Sequence, residues 1–168
     1  IFTPLGMRDS FFSVPAEKRS RVVRLFQRNK DGGLSELPPP PAPTVEFFSG
    51  GGGLFSTASD YLTFVRALMA GGRLGDKRML SAESVAMMGS NQLGTLSIRA
   101  LPTMVPQLAA DQTVLPGEAE KFGLGFALNA KPTSAGRGAN TMAWAGIYNT
   151  FFWIDREKQL AAVLMLQM

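Results

Sequence analysis

The sequence predicts an α+β fold, an antiparallel sheet flanked by helices. Three observations predict it. The C-terminal residues read as three strands, about 140–146, 149–155 and 160–167, joined by turns too short for a parallel crossover. The helical signals lie earlier in the chain, apart from those strands, instead of alternating with them. The 168 residues are 45% hydrophobic and 18% charged, which fits one globular domain that buries roughly 70% of its extended surface.

Pro4 and Gly6 punctuate the start, and "SFFSV" at 10–14 reads as a short strand. Lys18, Arg19, Arg21, Arg24, Arg28 and Lys30 follow, and "RVVRLFQ" among them favours a strand through its β-branched and aromatic residues. These charges read as a solvated face. A nucleic-acid patch would need interleaved exposed aromatics and more basicity than a net charge of +4, so no nucleic-acid partner is expected. "DGG" at 31–33 is a turn, and Pro38–Pro41, which cannot donate backbone hydrogen bonds, predict an extended surface connection.

The strongest local signal is "FFSGGGGLFSTASDYLTFVRALMAGG". Thr57 is placed to cap a helix from Ala58 to Ala70, with Asp60 at the third helical position near the positive helix end. Tyr61, Leu62, Val65, Leu68 and Met69 form its apolar stripe, and Gly71 stops it. The Gly50–Gly53 run is not a phosphate loop. That loop needs Lys and a hydroxyl after its last glycine, and Leu54 and Phe55 stand there. A tight turn packed on the sheet is expected instead. Ser81 starts a second helix, "AESVAMM", closed by Gly89, with Met87 and Met88 as core filler. Residues 90–120 are poorly patterned and read as a wall or lid over a site. "KFGLGFALNA" reads as a strand, "PTSAGRGAN" as a turn, and "DREKQ" as the last hairpin turn.

The chain has no cysteine and no histidine. That excludes disulfides, thiolate catalysis, a Ser-His-Asp triad and His- or Cys-ligated metals, and leaves acid–base work to Lys, Tyr, Asp or Glu. No cofactor or metal is expected. The longest clean apolar run, Leu160–Leu166, falls far short of the ~20 residues of a spanning helix. Ile1 is not a native start and Met168 falls inside a strand pattern, so a piece of a longer protein is expected.

"IFTPLGMRDSFFSVP", "SGGGGLFSTASDYLTFVRALMAGG", "FGLGFAL" and "WAGIYNTFFWIDREKQLAAVLMLQM", in this order, resemble the C-terminal portion of the serine β-lactamase-related superfamily. The nearest branch holds class C β-lactamases, family VIII carboxylesterases and penicillin-binding-protein-like hydrolases. The resemblance implies a partial β-lactamase/DD-peptidase-like fold and an acyl-serine chemistry. In such enzymes Ser-x-x-Lys supplies the nucleophile and a proton acceptor, and a Tyr-x-Asn/Ser motif assists. A third motif, Lys-Thr-Gly or its esterase variants, lies on an edge strand beside the nucleophile. It matches Trp144-Ala145-Gly146 here. The glycine keeps the strand surface flat, and the Ile147 N–H becomes one oxyanion-hole donor. Ala145, Tyr148 and Asn149 would contact substrate.

No serine here has lysine three residues on, and Thr63 and Thr150 follow Tyr61 and Tyr148 where Asn or Ser is required. The resemblance therefore implies a complementary N-terminal segment carrying Ser-x-x-Lys, a small ester or amide substrate, and an inactive fragment on its own. Trp144 stands where a lysine would bind a β-lactam carboxylate, which favours an ester or neutral amide. The family leans toward periplasmic or secreted placement. A non-catalytic penicillin-binding-like domain remains the alternative. Read without the resemblance, Trp144 is a core indole, Gly146 a bulge, and Tyr148 with Asn149 a strand turn. Trp153 and Asp155 read as packing and turn residues, and Asp60 as a cap.

Overall fold

A computed structural model describes residues 1–38, 46–104, 106, 111 and 120–166. In chain order they form α1 (Phe2–Leu5), a 3₁₀ turn (Ala16–Arg21), β1 (Phe26–Arg28), β2 (Leu34–Glu36), α2 (Ala58–Met69), β3 (Arg73–Leu74) and β4 (Lys77–Arg78). Then come α3 (Ala82–Met88), β5 (Glu120–Phe122), β6 (Ala127–Asn129), β7 (Met142–Gly146), β8 (Thr150–Asp155) and β9 (Leu160–Met165). The main sheet is an antiparallel meander in the order β5-β6-β7-β8-β9. β1–β2 and β3–β4 are separate two-stranded hairpins.

α2 forms where the sequence places it. The Thr57 hydroxyl accepts from the Asp60 N–H at 3.2 Å, which satisfies one of the free donors of the first turn. Of its expected apolar stripe, Tyr61, Val65, Leu68 and Met69 pack with the core against the sheet, whereas Leu62 joins neither core cluster and Phe64 takes part in both. Val65 and Leu68 are fully buried with Val85 of α3 and with Leu128, Met142 and Ile154 of the strands. Each such side chain contributes roughly 1.5–3 kcal/mol by leaving water. A smaller cluster joins Leu5 and Met7 to Ala67 on the same helix. α3 repeats the device, with the Ser81 hydroxyl accepting from the Ser84 N–H at 3.0 Å.

Several expectations are corrected. "KFGLGFALNA" is two strands, not one: Gly125 adopts φ 92, a left-handed value that only glycine takes readily, and turns β5 back into β6. "SFFSV" makes a single bridge, Phe11 to Phe55, because its neighbours have no partner strand to extend it. Of "RVVRLFQ", Arg21 ends the 3₁₀ turn and only Phe26 and Gln27 are in a strand. The Gly50–Gly53 run is exposed, and only Gly53 comes near another side chain, Phe12. Met88 packs against the core, but Met87 is exposed. The "DGG" turn forms as expected, closed by the Gly33 N–H donating to the Asp31 carboxylate at 2.9 Å. Of the proline-rich connection, residues 39–45 lie outside the described residues, as do 105, 107–110 and 112–119 of the expected wall.

Candidate functional site

β7 is the third of five strands, yet part of it is an edge. Its ladder with β6 covers only Met142 and Ala143, opposite Leu128 and Ala127. Its ladder with β8 continues to Gly146, opposite Thr150. Trp144, Ala145 and Gly146 therefore have a paired strand on one side only, among the described residues. The edge strand implied by the resemblance is an interior strand with a free last half. Free N–H and C=O groups along such an edge can take an extended substrate as a further strand.

Trp144 shares the face of the sheet that α2 covers, since its partner Phe152 packs against the core. Phe152 meets Tyr61 at 5.4 Å and Phe126 at 5.9 Å between ring centroids. Trp144 itself is half-buried and meets Phe122 edge-on, with centroids 5.4 Å apart and planes at 86°. Its indole N–H has no hydrogen-bond partner among the described residues. Ala145 is half-buried opposite Phe151. A Cβ on Gly146 would overlap the Thr150 hydroxyl, so this position admits no ordinary side chain without displacing Thr150.

Ile147, Tyr148 and Asn149 are the hairpin loop. The Asn149 N–H donates to the Gly146 carbonyl at 3.0 Å, and Asn149 has φ 58. This is a three-residue loop ending in a left-handed residue, a conformation Asn tolerates better than most. The Leu166 N–H donates to the Asn149 carbonyl at 3.1 Å, tying the end of β9 to the same loop. Ile147 is 59% exposed and Tyr148 48% exposed. The Ile147 N–H has no partner among the described residues and sits at the end of the free edge.

The six residues singled out from the sequence thus form one ledge: Trp144 to Gly146 along it, Ile147 to Asn149 around its end. Two residues that sequence reasoning passed over also shape it, Phe122 and Thr150. Thr150 was within reach, because a three-residue loop after Gly146 sets Thr150 opposite it. Phe122 carried no such signal.

Other polar groups have structural partners. The Asp60 carboxylate accepts from the Asp9 N–H at 2.7 Å and the Ser10 hydroxyl at 3.1 Å, tying the N-terminal segment to α2. Asp155 is buried at the other end of the sheet, opposite Leu160. It accepts from the Gly138 N–H at 2.7 Å and the Lys158 N–H at 2.9 Å. Burial raises the Asp155 pKa, but these backbone donors and the Lys158 charge outweigh it and leave the carboxyl below its ordinary value. Burial pushes the Tyr61 phenol up among Phe64 and Phe152, so it holds its proton as a neutral phenol. No metal-ligating cluster occurs among the described residues.

A family model described as "Beta-lactamase" matches residues 1–167. Two Mycobacterium tuberculosis proteins, "Uncharacterized protein MT1414" of strain CDC 1551 / Oshkosh and "Protein Rv1367c" of strain H37Rv, are each 30% identical over 178 residues. Each match covers 99% of this chain and 41% of the relative, so the chain spans about two fifths of the length of these curated relatives. Among solved structures, the LovD6 mutant of simvastatin synthase from Aspergillus terreus superposes with a TM-score of 0.76 at 24% identity, over 99% of this chain and 42% of that one. A penicillin-binding protein homolog from Caulobacter crescentus gives 0.62 at 19% identity, over 98% and 44%. A family VIII carboxylesterase gives 0.59 at 21%, over 100% and 44%. These likenesses establish a β-lactamase/transpeptidase-like α+β fold. With the family match running through nearly every residue, the chain belongs to the Beta-lactamase family.

Proposed function

We propose that this chain forms the substrate ledge of a serine hydrolase acting on esters or neutral amides. The observation that carries the reading is the free half of β7, where Trp144, Ala145 and Gly146 end in the unpartnered N–H of Ile147. A substrate laid along this edge would bring its carbonyl oxygen to that N–H. A serine hydroxyl from a complementary segment carrying Ser-x-x-Lys would attack the carbonyl carbon, its proton passing to the lysine or tyrosine of that segment. The alcohol or amine would leave with a proton, and water would then cleave the acyl-serine. The Ile147 N–H would hold the negative charge that develops on oxygen; one such donor is worth about 3–4 kcal/mol in barrier elsewhere. Ala145, Tyr148 and Asn149 would flank the bound chain.

Trp144 favours an uncharged substrate, because the ledge offers an indole where a cation would be needed to hold a carboxylate. Among solved relatives, one is described as a simvastatin synthase and another, EstCE1, as a hydrolase with promiscuous acyltransferase activity. The second description names hydrolysis and acyl transfer, the class of chemistry proposed here. A periplasmic or secreted location fits the family.

The test is turnover of a p-nitrophenyl ester by the longer protein and by the 168-residue chain. The longer protein is expected to turn over, to trap an acyl group on serine, and to hydrolyse a carboxylate-bearing β-lactam far more slowly. The 168-residue chain is expected to be inert. Rapid turnover by that chain alone would overturn the assignment of the nucleophile to another segment.

A further inference from the structure

We infer that Lys121 is a positioning residue for the Trp144 wall: its ammonium ties the turn at 94–96 to β5 and so holds Phe122 against the indole. The inference rests on the reading of β7 as the substrate ledge.

Lys121 has no carboxylate partner among the described residues. Its Nζ donates instead to three successive carbonyls, Gly94 at 3.2 Å, Thr95 at 3.3 Å and Leu96 at 2.6 Å. An ammonium has three donors, and all three are used. The turn it grips is also closed from within. The Asn91 side chain donates to the Gly94 carbonyl at 2.9 Å and accepts from the Leu93 N–H at 2.9 Å.

The segment around this turn runs beside β5. The Gln92 N–H donates to the Phe122 carbonyl at 2.8 Å and the Ile98 N–H to the Glu120 carbonyl at 2.9 Å. Those two acceptors flank Lys121 in the chain, so the lysine fastens the middle of a connection whose backbone bonds fasten its ends. A three-residue strand held only by its β6 partner would fray; this strap gives it a second neighbour. β5 then leaves under the end of α3, where the Leu124 N–H donates to the Met88 carbonyl at 3.1 Å and a Cβ on Gly123 would overlap that same carbonyl. Phe122 is thereby fixed between two anchors, and its ring is the one that meets Trp144 edge-on. The indole has no hydrogen bond of its own to set its angle, so the ring contact and the packing beneath it must do so.

The experiment compares the intact protein with Lys121→Met and Lys121→Arg by hydrogen–deuterium exchange, together with steady-state ester hydrolysis. Lys121→Met is expected to raise exchange at least about threefold in peptides covering 91–98 and also in those covering 142–149. Lys121→Arg keeps a cationic donor and is expected to restore most of the protection. In hydrolysis of an apolar ester, Lys121→Met is expected to raise KM about threefold with kcat little changed. Should Lys121→Met not fold, Asn91→Ala loosens the same turn with the lysine intact and is expected to give the same pattern more weakly. Faster exchange confined to 91–98, or no change at 142–149, overturns the inference even where hydrolysis persists. Faster exchange at both places in a protein with no hydrolytic activity supports the coupling and defeats the hydrolase reading instead.

Discussion

Gly146 and Thr150 face each other at the loop end of the β7–β8 hairpin, and the Thr150 hydroxyl fills the space a side chain on Gly146 would need. The glycine is thus required by its partner strand as well as by any substrate. Gly146→Ala is expected to lower stability by about 1–3 kcal/mol through overpacking. Thr150→Ala empties the contested volume, so the double variant is expected to recover most of that loss. Urea unfolding of the four proteins measures the coupling; additive losses would mean that Thr150 is not the obstacle.

Asn149 carries the left-handed residue of the loop that presents Ile147. Asn149→Gly is expected to be the milder of two substitutions here, since glycine adopts this backbone conformation without strain. Asn149→Val is expected to cost about 1–2 kcal/mol, because a β-branched residue pays the full left-handed penalty. The same substitution should slow ester hydrolysis by the intact protein more than it shifts unfolding, by moving the Ile147 N–H. Equal stability of the Gly and Val variants in urea would show that the loop has another conformation open to it.

How far this site was legible follows from the range of the interactions that make it. The hairpin β7–β8 and its neighbour β9 were read to within two residues of their observed bounds, because strand, turn and strand are consecutive and each pattern is local. α2 was equally legible: Thr57, Asp60 and Gly71 are start and stop signals that act over one turn. "KFGLGFALNA" failed at Gly125, where composition favours a strand but the positive φ makes a turn. The free half of β7 could not be read at all, since it depends on β6, an upstream strand, ceasing to pair beyond Ala127 opposite Ala143. Lys121 is the extreme case. In sequence it is one surface lysine among many, and its role exists only through carbonyls some 25 residues away.

Acid should weaken the fold from two places. Hydrogen bonds from Arg21 and Lys18 hold the Asp9 carboxyl at about 2, and Asp155 also lies below its ordinary value. A carboxyl depressed in the folded state stabilises the protein above the unfolded value of 3.8, and that contribution drains as pH falls toward the folded value. Stability is therefore expected to be flat from neutral pH to about 5 and to fall steeply between about 4 and 2. Asp155→Asn removes one titrating group, so its acid limb should be shallower by at most one proton, about 1.4 kcal/mol per pH unit. Denaturant titrations across pH check this; an unchanged slope would remove Asp155 from the account.

The sheet face turned away from α2 makes a further demand. Phe151 and Leu164 pair across β8 and β9 on that face and are 39% and 45% exposed. β9 ends the sheet, has no strand on its outer side among the described residues, and carries no charge from Leu160 to Met165. An uncharged edge beside an apolar face is a template for another strand. The 168-residue chain on its own is therefore expected to self-associate in a concentration-dependent way, whereas a longer protein that covers this face would stay monomeric. Leu164→Lys sets a charge where a second copy would pack, and it leaves the core face of β9, formed by Ala161 and Val163, untouched. Light scattering of the chain at micromolar concentration should move toward the monomer mass with this substitution. The same mass distribution for Leu164→Lys as for the parent chain would place the self-association elsewhere, with the exposed Phe47 and Phe48 the next surface to alter.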